Sequence, residues 1–256
     1  MEPDLRALLD AAHRAARAAS TAILEIYAAP FDVRRKEDLS PVTEADERAE
    51  RIIIEALRAA APGIPAIAEE LAAAGNLPQS GPRFWLIDPL DGTKEFIAKN
   101  DEFSVNIGLI EGGRPVLGVI HAPVANVTYA AAGPGSATRQ AGDAAPVPIA
   151  ARRAPAGGLV VAHSRSHQNS ARLDAFLADY SGVTRRIAGS AIKFCLVAEG
   201  SADLYPRFGT TMEWDTAAGQ AILEAAGGSV TTLDGAPLRY NKPLFRNPGF
   251  LARGRQ

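Results

Sequence analysis

The 256 residues carry 27 lysines and arginines against 29 aspartates and glutamates, a net charge of −2, with 47% hydrophobic and 22% charged residues. That balance excludes bulk electrostatic attraction to nucleic acid or to an acidic membrane surface, and it suits a chain that buries a sizeable core as one large domain or two small ones. The single cysteine, Cys195, excludes an internal disulfide; within the apolar run Phe194-Cys195-Leu196-Val197 it reads as buried filler rather than a nucleophile.

The first predicted element is a helix over residues 4–28, where Leu5, Leu8, Ala12, Ala16, Ala19 and Ile23 recur at three- and four-residue steps. The acidic start Met1-Glu2-Pro3-Asp4 does not resemble a secretory leader. No run of about 18 apolar residues occurs, so no membrane span is predicted. The expected compartment is the cytoplasm, with attachment at a membrane surface left open. A second helix is predicted over residues 44–61, with Thr43 as cap, Asp46 three residues on as in a capping box, and Pro62-Gly63 as stop. Strands follow near 64–68, 84–88 and 103–110, and the turn Glu111-Gly-Gly-Arg-Pro115 leads into a hairpin partner over 116–121. A further strand covers 127–131. Residues 133–158 shift towards Ala, Pro and Gly, which predicts two subdomains, 1–140 and 141–256. The second half alternates: strand 159–162, helix 170–180, helix 192–199 ended by Gly200, short strand 203–205, and helix 216–226 ended by Gly227-Gly228. Helices and strands mixed in this way, with hairpins in the first half, predict layered α/β packing.

The most informative stretch is Trp85-Leu-Ile-Asp88-Pro-Leu-Asp91-Gly-Thr-Lys-Glu-Phe96. A strand runs into Asp88 and is expected to stop at Pro89, which has no N–H for a sheet ladder. Asp88 and Asp91 then flank the Leu90 carbonyl, and Gly92 permits close approach of the backbone. Two carboxylates and a carbonyl beyond a strand end are hard oxygen donors of the kind that suits magnesium. The plainer alternative is a turn in which Asp side chains satisfy local backbone. Three more acidic features stand beside it: Glu69-Glu70 after an apolar strand, otherwise an exposed loop; Asp215 in Trp214-Asp215-Thr216-Ala217-Ala218, otherwise a helix N-cap; and Asp46, otherwise only the capping box.

Together the Glu-Glu pair after a strand, the W-x-x-D-P-[IL]-D-G-T block and the W-D-x-A-[AG] block resemble the inositol monophosphatase superfamily of metal-dependent, lithium-sensitive phosphatases, over residues of about 5 to 250. The form Gly92-Thr93-Lys94-Glu95-Phe96 is similar to the 3′(2′),5′-bisphosphate nucleotidase branch, nearest its bacterial sulfur-assimilation members. So are Phe103-Ser-Val-Asn-Ile107, Gly189-Ser-Ala-Ile-Lys-Phe-Cys-Leu-Val-Ala-Glu-Gly200, Leu204-Tyr-Pro-Arg207 and Asn247-Pro-Gly-Phe250.

The resemblance implies an α-β-α-β-α sandwich of the sugar-phosphatase type, with the metal ligands concentrated in the first subdomain. It implies two to three magnesium ions. Glu69, Asp88 and the Leu90 carbonyl would hold the first, and Asp88, Asp91 and Asp215 the second. Glu69 and water would hold a weaker third. Asp46 and Thr93 would activate the attacking water, with Glu70 and Lys36 close by. Substrate would contact Glu69, Leu90, Asp91, Gly92, Thr93 and Asp215, with Ser190, Lys193 and Arg207 taking the phosphate that is not cleaved. For the last two the plainer alternative is a solvated helix face. His163 and His167 either line the nucleotide pocket or are structural. The expected reaction is hydrolysis of adenosine 3′,5′-bisphosphate to AMP and phosphate by a monomer or homodimer, with no nucleic acid partner. The rivals are inositol monophosphatase or fructose-1,6-bisphosphatase activity, and a non-catalytic nucleotide-binding regulator.

Overall fold

Alternation along the strand Arg83–Asp91 sends Trp85 and Ile87 to one face of a sheet and Phe84 and Leu86 to the other, and both faces are buried. A sheet apolar on both sides needs a helical layer on each. The computed structural model describes residues 4–36, 39–165 and 170–255. Its helices are α1 (Leu5–Tyr27), α2 (Glu44–Ala60), α3 (Glu69–Ala73), α4 (Thr93–Ile97), α5 (Ser170–Leu177), α6 (Ile192–Ala198) and α7 (Ala217–Ala225).

The first sheet has seven strands in chain order: Ala66–Ala68, Arg83–Asp91, Ser104–Glu111, Arg114–Ala122, Val127–Ala132, Thr138–Ala141 and Val147–Pro148. Only the first pair is parallel. α1 and α2 cover the face that carries Trp85, Ile87, Val105, Ile107 and Leu109. α6 and α7 cover the other face and bury their far side on a second sheet, where Phe194 stacks on Phe250 with ring centroids 5.4 Å apart. That second sheet places Val160–His163 beside Thr184–Ile187 and Leu204–Arg207, followed by Phe250–Arg253 and Ser229–Thr232. Leu173 and Leu177 of α5 close its outer face against Val161, Leu204 and Leu251. The layers are α-β-α-β-α, as the sequence predicts. The first sheet runs on to Pro148, and the second begins at Val160.

Two local expectations are corrected. Pro89 does not end its strand: pairing passes from Asp88↔Asn106 to Asp91↔Ser104, three residues on one side against two on the other. The extra residue is a β-bulge, and a bulge is where a strand tolerates a proline without N–H. The hairpin turn is also tighter than residues 111–115. Glu111 pairs directly with Arg114, and the two-residue turn is Gly112-Gly113 at φ 57° and 73°. Glycine alone takes both positions at no steric cost, as a type I′ turn requires.

The approach of α7 to the first sheet is set by two glycines. A Cβ at Gly108 would lie 2.7 Å from the Ala217 Cβ, and one at Gly118 would lie 2.3 Å from the Ala218 carbonyl oxygen. Helix and sheet therefore meet with nothing larger than an alanine methyl between them. Gly118→Ala should cost about 1–3 kcal/mol, the usual range for overpacking. Urea unfolding tests this; wild-type stability would mean that α7 has room to move.

Candidate active site

The N-terminal turns of α2 hold the first group. Thr43 caps the helix, and Asp46 Oδ2 accepts from the Thr43 amide at 2.8 Å and from its hydroxyl at 2.7 Å, the capping box expected from sequence. The cap does not exhaust the carboxylate. Asp46 Oδ1 accepts from the Thr93 hydroxyl at 3.0 Å, although Asp46 is only 2% exposed. Thr93 Oγ1 also lies 3.3 Å from the Leu90 carbonyl oxygen. Gly92, at φ 97°, makes the left-handed bend that turns the bulged strand into α4 and brings Thr93 there.

The second group is acidic. Asp88 lies at the bulge, Asp91 three residues on, Glu69 at the end of the neighbouring parallel strand, and Asp215 just ahead of α7. Burial raises the proton affinity of Asp88 well above the ordinary carboxylate range, and the charges of Glu69, Asp91 and Asp215 raise it further. Asp215 behaves likewise through burial, Asp91 and Glu69. Burial also raises Asp91, although Lys193, the Asn106 side chain and the Ala191 amide favour its charge. Each acid has a protein donor. Asp88 Oδ1 accepts from the Leu90 amide at 3.1 Å, Asp91 Oδ2 from Asn106 at 3.1 Å, Asp215 Oδ2 from the Met212 amide at 2.8 Å, and Glu69 Oε1 from Lys36 at 2.7 Å. Asp215 is therefore no helix cap; Thr216 holds that position, without a side-chain capping bond.

Lys36 also reaches Glu70 Oε1 at 2.6 Å. Burial opposes its charge, but the two glutamates outweigh that and hold the ammonium charged. Burial raises Glu70 to about 7, and Lys36 opposes the shift.

The third group is basic and shares a cleft of about 240 Å³ with Asp91 and Asp215. Ser190, Lys193 and Arg207 line it together with Gly92, Lys94 and Glu95. The solvated-face alternative for Lys193 does not hold: it is 3% exposed, and its ammonium donates to the Ala188 carbonyl at 3.2 Å and to the Ser190 carbonyl. Burial lowers its pKa to about 8, against the pull of Asp91. Arg207 donates to the Ser164 hydroxyl at 3.3 Å, and its buried Nε has no partner among the described residues. Ser164, which also lines the cleft, accepts from the His163 ring through its carbonyl at 2.9 Å. His167 lies outside the described residues.

Sequence reading missed Asn106, which holds Asp91, and Glu50, whose carboxylate accepts from the amides of Glu70 and Leu71. Glu50 left one trace in the sequence, a carboxylate one helical turn beyond Asp46.

Among the described residues no three acidic, His or Cys side chains stand in a geometry ready to bind a metal ion. The donor chemistry nevertheless fits a hard cation. Glu69, Asp88, Asp91 and Asp215 offer only carboxylate oxygens, and Asp88 and Asp215, buried and raised in proton affinity by their acidic neighbours, would be stabilised by a cation that enters.

Comparison with known proteins agrees with this picture. Residues 4–253 match the model of the inositol monophosphatase family. The chain is 46% identical over 246 residues to the 3′(2′),5′-bisphosphate nucleotidase CysQ of Escherichia coli O157:H7, covering 95% of this chain and 98% of the relative. The solved structure of CysQ from Bacteroides thetaiotaomicron superposes with a TM-score of 0.81 at 36% identity, covering 97% of each chain. An inositol monophosphatase from Anabaena superposes at 0.79 with 30% identity, over 99% of this chain and 92% of that one. The chain belongs to the inositol monophosphatase family, whose members are in general metal-dependent phosphatases.

The acid cluster makes a signed prediction for the metal-free protein. A carboxylate whose folded-state pKa is raised binds protons more tightly folded than unfolded, so its contribution to stability is lost as pH rises through the folded value. Asp88→Asn removes such a group. In excess chelator the variant should gain little over wild type near pH 5 and should be clearly more stable at pH 8, while losing turnover by orders of magnitude when metal is restored. Thermal melts at both pH values test it; an equal effect at pH 5 and 8 would show that Asp88 is not under charge repulsion.

Proposed function

We propose that this chain is a magnesium-dependent 3′(2′),5′-bisphosphate nucleotidase that cleaves adenosine 3′,5′-bisphosphate to AMP and phosphate, the clearance reaction of sulfate assimilation. The observation that carries the reading is the mixed charge of the cleft, which Asp91 and Asp215 line together with Lys193 and Arg207. A substrate with two separated phosphates needs two anion-binding ends. The near-full-length similarity to nucleotidases supports the same substrate class.

On this reading Glu69, Asp88, Asp91, Asp215 and the Leu90 carbonyl would hold two to three magnesium ions. The ions would supply positive charge for the phosphoryl oxygens and acidify the attacking water. The protein's own part is proton handling and aim. Thr93 has one hydroxyl proton, and its shorter contact is to Asp46 Oδ1 at 3.0 Å. As Thr93 Oγ1 takes a proton from water, its own proton passes to Asp46. The Thr43 amide and hydroxyl on Oδ2 keep Asp46 from turning away. At the far end Arg207 presents a planar fork suited to a phosphate.

Activity should require magnesium, vanish in chelator and fall with millimolar lithium. Calcium should inhibit, because its larger and looser coordination misplaces the in-line water. Full activity in excess chelator would overturn the metal assignment. The substrate reading has its own test. A charge-assisted hydrogen bond contributes about 1.5–3 kcal/mol, on the order of 10- to 150-fold in binding. Arg207→Ala should lower kcat/KM for adenosine 3′,5′-bisphosphate by such a factor and leave inositol 1-phosphate nearly unchanged. Lys193→Ala is the less clean variant, since it also strands two carbonyls. Equal losses on both substrates would place Arg207 in folding or chemistry, and a wild type that prefers inositol phosphate would overturn the nucleotidase reading.

A further inference from the structure

Glu50 sits on α2 one turn after Asp46, so both side chains leave the same face of the helix. Asp46 reaches Thr93, and Glu50 reaches the acid pair from behind. Glu50 Oε2 accepts from the Glu70 amide at 2.7 Å and Oε1 from the Leu71 amide at 3.0 Å. Those amides belong to the first turn of α3, the turn that also carries Glu69. A helix start is ordinarily capped by a Ser, Thr, Asp or Asn just before it. Here that position is Ala68, which offers no side-chain acceptor, and Glu50 supplies the cap from another helix.

The choice of a glutamate is costly. Glu50 is 5% exposed; burial raises its pKa to about 7, and the charge of Glu69 adds to the shift. A glutamine would avoid the added negative charge but could present only one oxygen to the two amides. A carboxylate gives each amide its own charged oxygen.

We propose that Glu50 is a positioning residue for metal binding: by clamping the first turn of α3 it fixes where Glu69 and Glu70 stand relative to Asp88, and so couples the metal-holding acids to the Asp46–Thr93 pair through one rigid helix. The inference rests on the metal-dependent reading above and adds a residue that does not itself touch metal or substrate.

The test compares wild type with Glu50→Gln, Glu50→Ala and Leu173→Ala. Leu173 packs α5 on the outer face of the second sheet, far from the acids, and its variant controls for lost stability alone. Magnesium binding is measured calorimetrically without substrate, amide hydrogen exchange at Glu70 and Leu71 by NMR, and activity as a function of magnesium. Glu50→Ala should raise the magnesium Kd about tenfold or more and speed exchange at both amides by on the order of 10- to 150-fold, the value of a charge-assisted bond. Its activation constant for magnesium should rise in parallel, with kcat at saturating magnesium recovering to within a few-fold. Glu50→Gln should fall between, and it carries the comparison if Glu50→Ala does not fold. Leu173→Ala should melt lower and bind magnesium as wild type does. Glu50 variants that melt lower but keep the wild-type Kd would overturn the proposal. A wild type that binds no magnesium would instead overturn the metal reading on which it rests.

Discussion

Glu69, Asp88, Asp91 and Asp215 come from three separate parts of the chain, and repulsion among them is the constraint to which the surrounding structure responds. Two like charges about 4–5 Å apart at an effective dielectric of 20 repel by roughly 3–4 kcal/mol. A domain's whole stability is on the order of 5–15 kcal/mol. A fully ionised, uncompensated cluster would therefore consume much of what holds the fold together. The protein spreads the load over single donors: Lys36 on Glu69, Asn106 on Asp91, and backbone amides on Asp88 and Asp215. Each donor offsets part of one charge; burial, helped at Asp88 and Asp215 by the neighbouring acids, still holds the proton affinities of Asp88, Asp91 and Asp215 above the ordinary carboxylate range. On the metal-dependent reading proposed here, a bound cation would relieve what remains.

The same constraint explains why the acids stand on stiff elements. Asp88 and Asp91 belong to a strand paired on both sides, and the bulge at Pro89 turns them without ending the pairing. Asp215 leads into α7, which is pressed onto the sheet at Gly108 and Gly118 with nothing larger than an alanine methyl between. Small residues there set the distance between Asp215 and the strand-borne acids more tightly than larger, adaptable side chains could. Glu213, fully buried, ties the same segment down by accepting from the amides of Asn241 and Lys242 and from the Lys242 ammonium.

Much of this was legible in the sequence because it is local. Helical periodicity marked α1 and α2, alternation marked the long strands, and the Thr43/Asp46 spacing marked a cap that the structure contains. What stayed hidden acts through space. The bulge depends on what the Asp88 strand pairs with, which its own residues do not say. The cap on α3 comes from Glu50, nineteen positions before Glu69 by residue number, and no local pattern announces it. Thr184–Ile187 was missed because an edge strand exposed along its whole length has no apolar alternation to display. Lys193 is the instructive case. Its neighbours on α6 are all apolar, and all but the half-buried Ile192 are buried, so a solvated face was not available to it. A lone lysine in an all-apolar helix is itself a sign that its charge is used inside.

The cleft's two ends answer one problem in different ways. If free lysines or arginines stood among the acids, they would close on them as ion pairs and leave nothing for a phosphate; Lys36, already shared between Glu69 and Glu70, shows the tendency. Anion binding at that end therefore falls to ions that can coordinate carboxylate and phosphate oxygens at once, on the reading proposed here. At the other end the cations are protein groups kept from collapsing onto Asp91. Lys193 is held by the carbonyls of Ala188 and Ser190, and Arg207 is steadied by the Ser164 hydroxyl with its Nε left over. Carbonyl and hydroxyl partners orient a cation without neutralising it, so its charge remains for a ligand. On the reading proposed here, a molecule with two phosphates would engage both the ion-held acids and these cations, where a monophosphate would engage only the first.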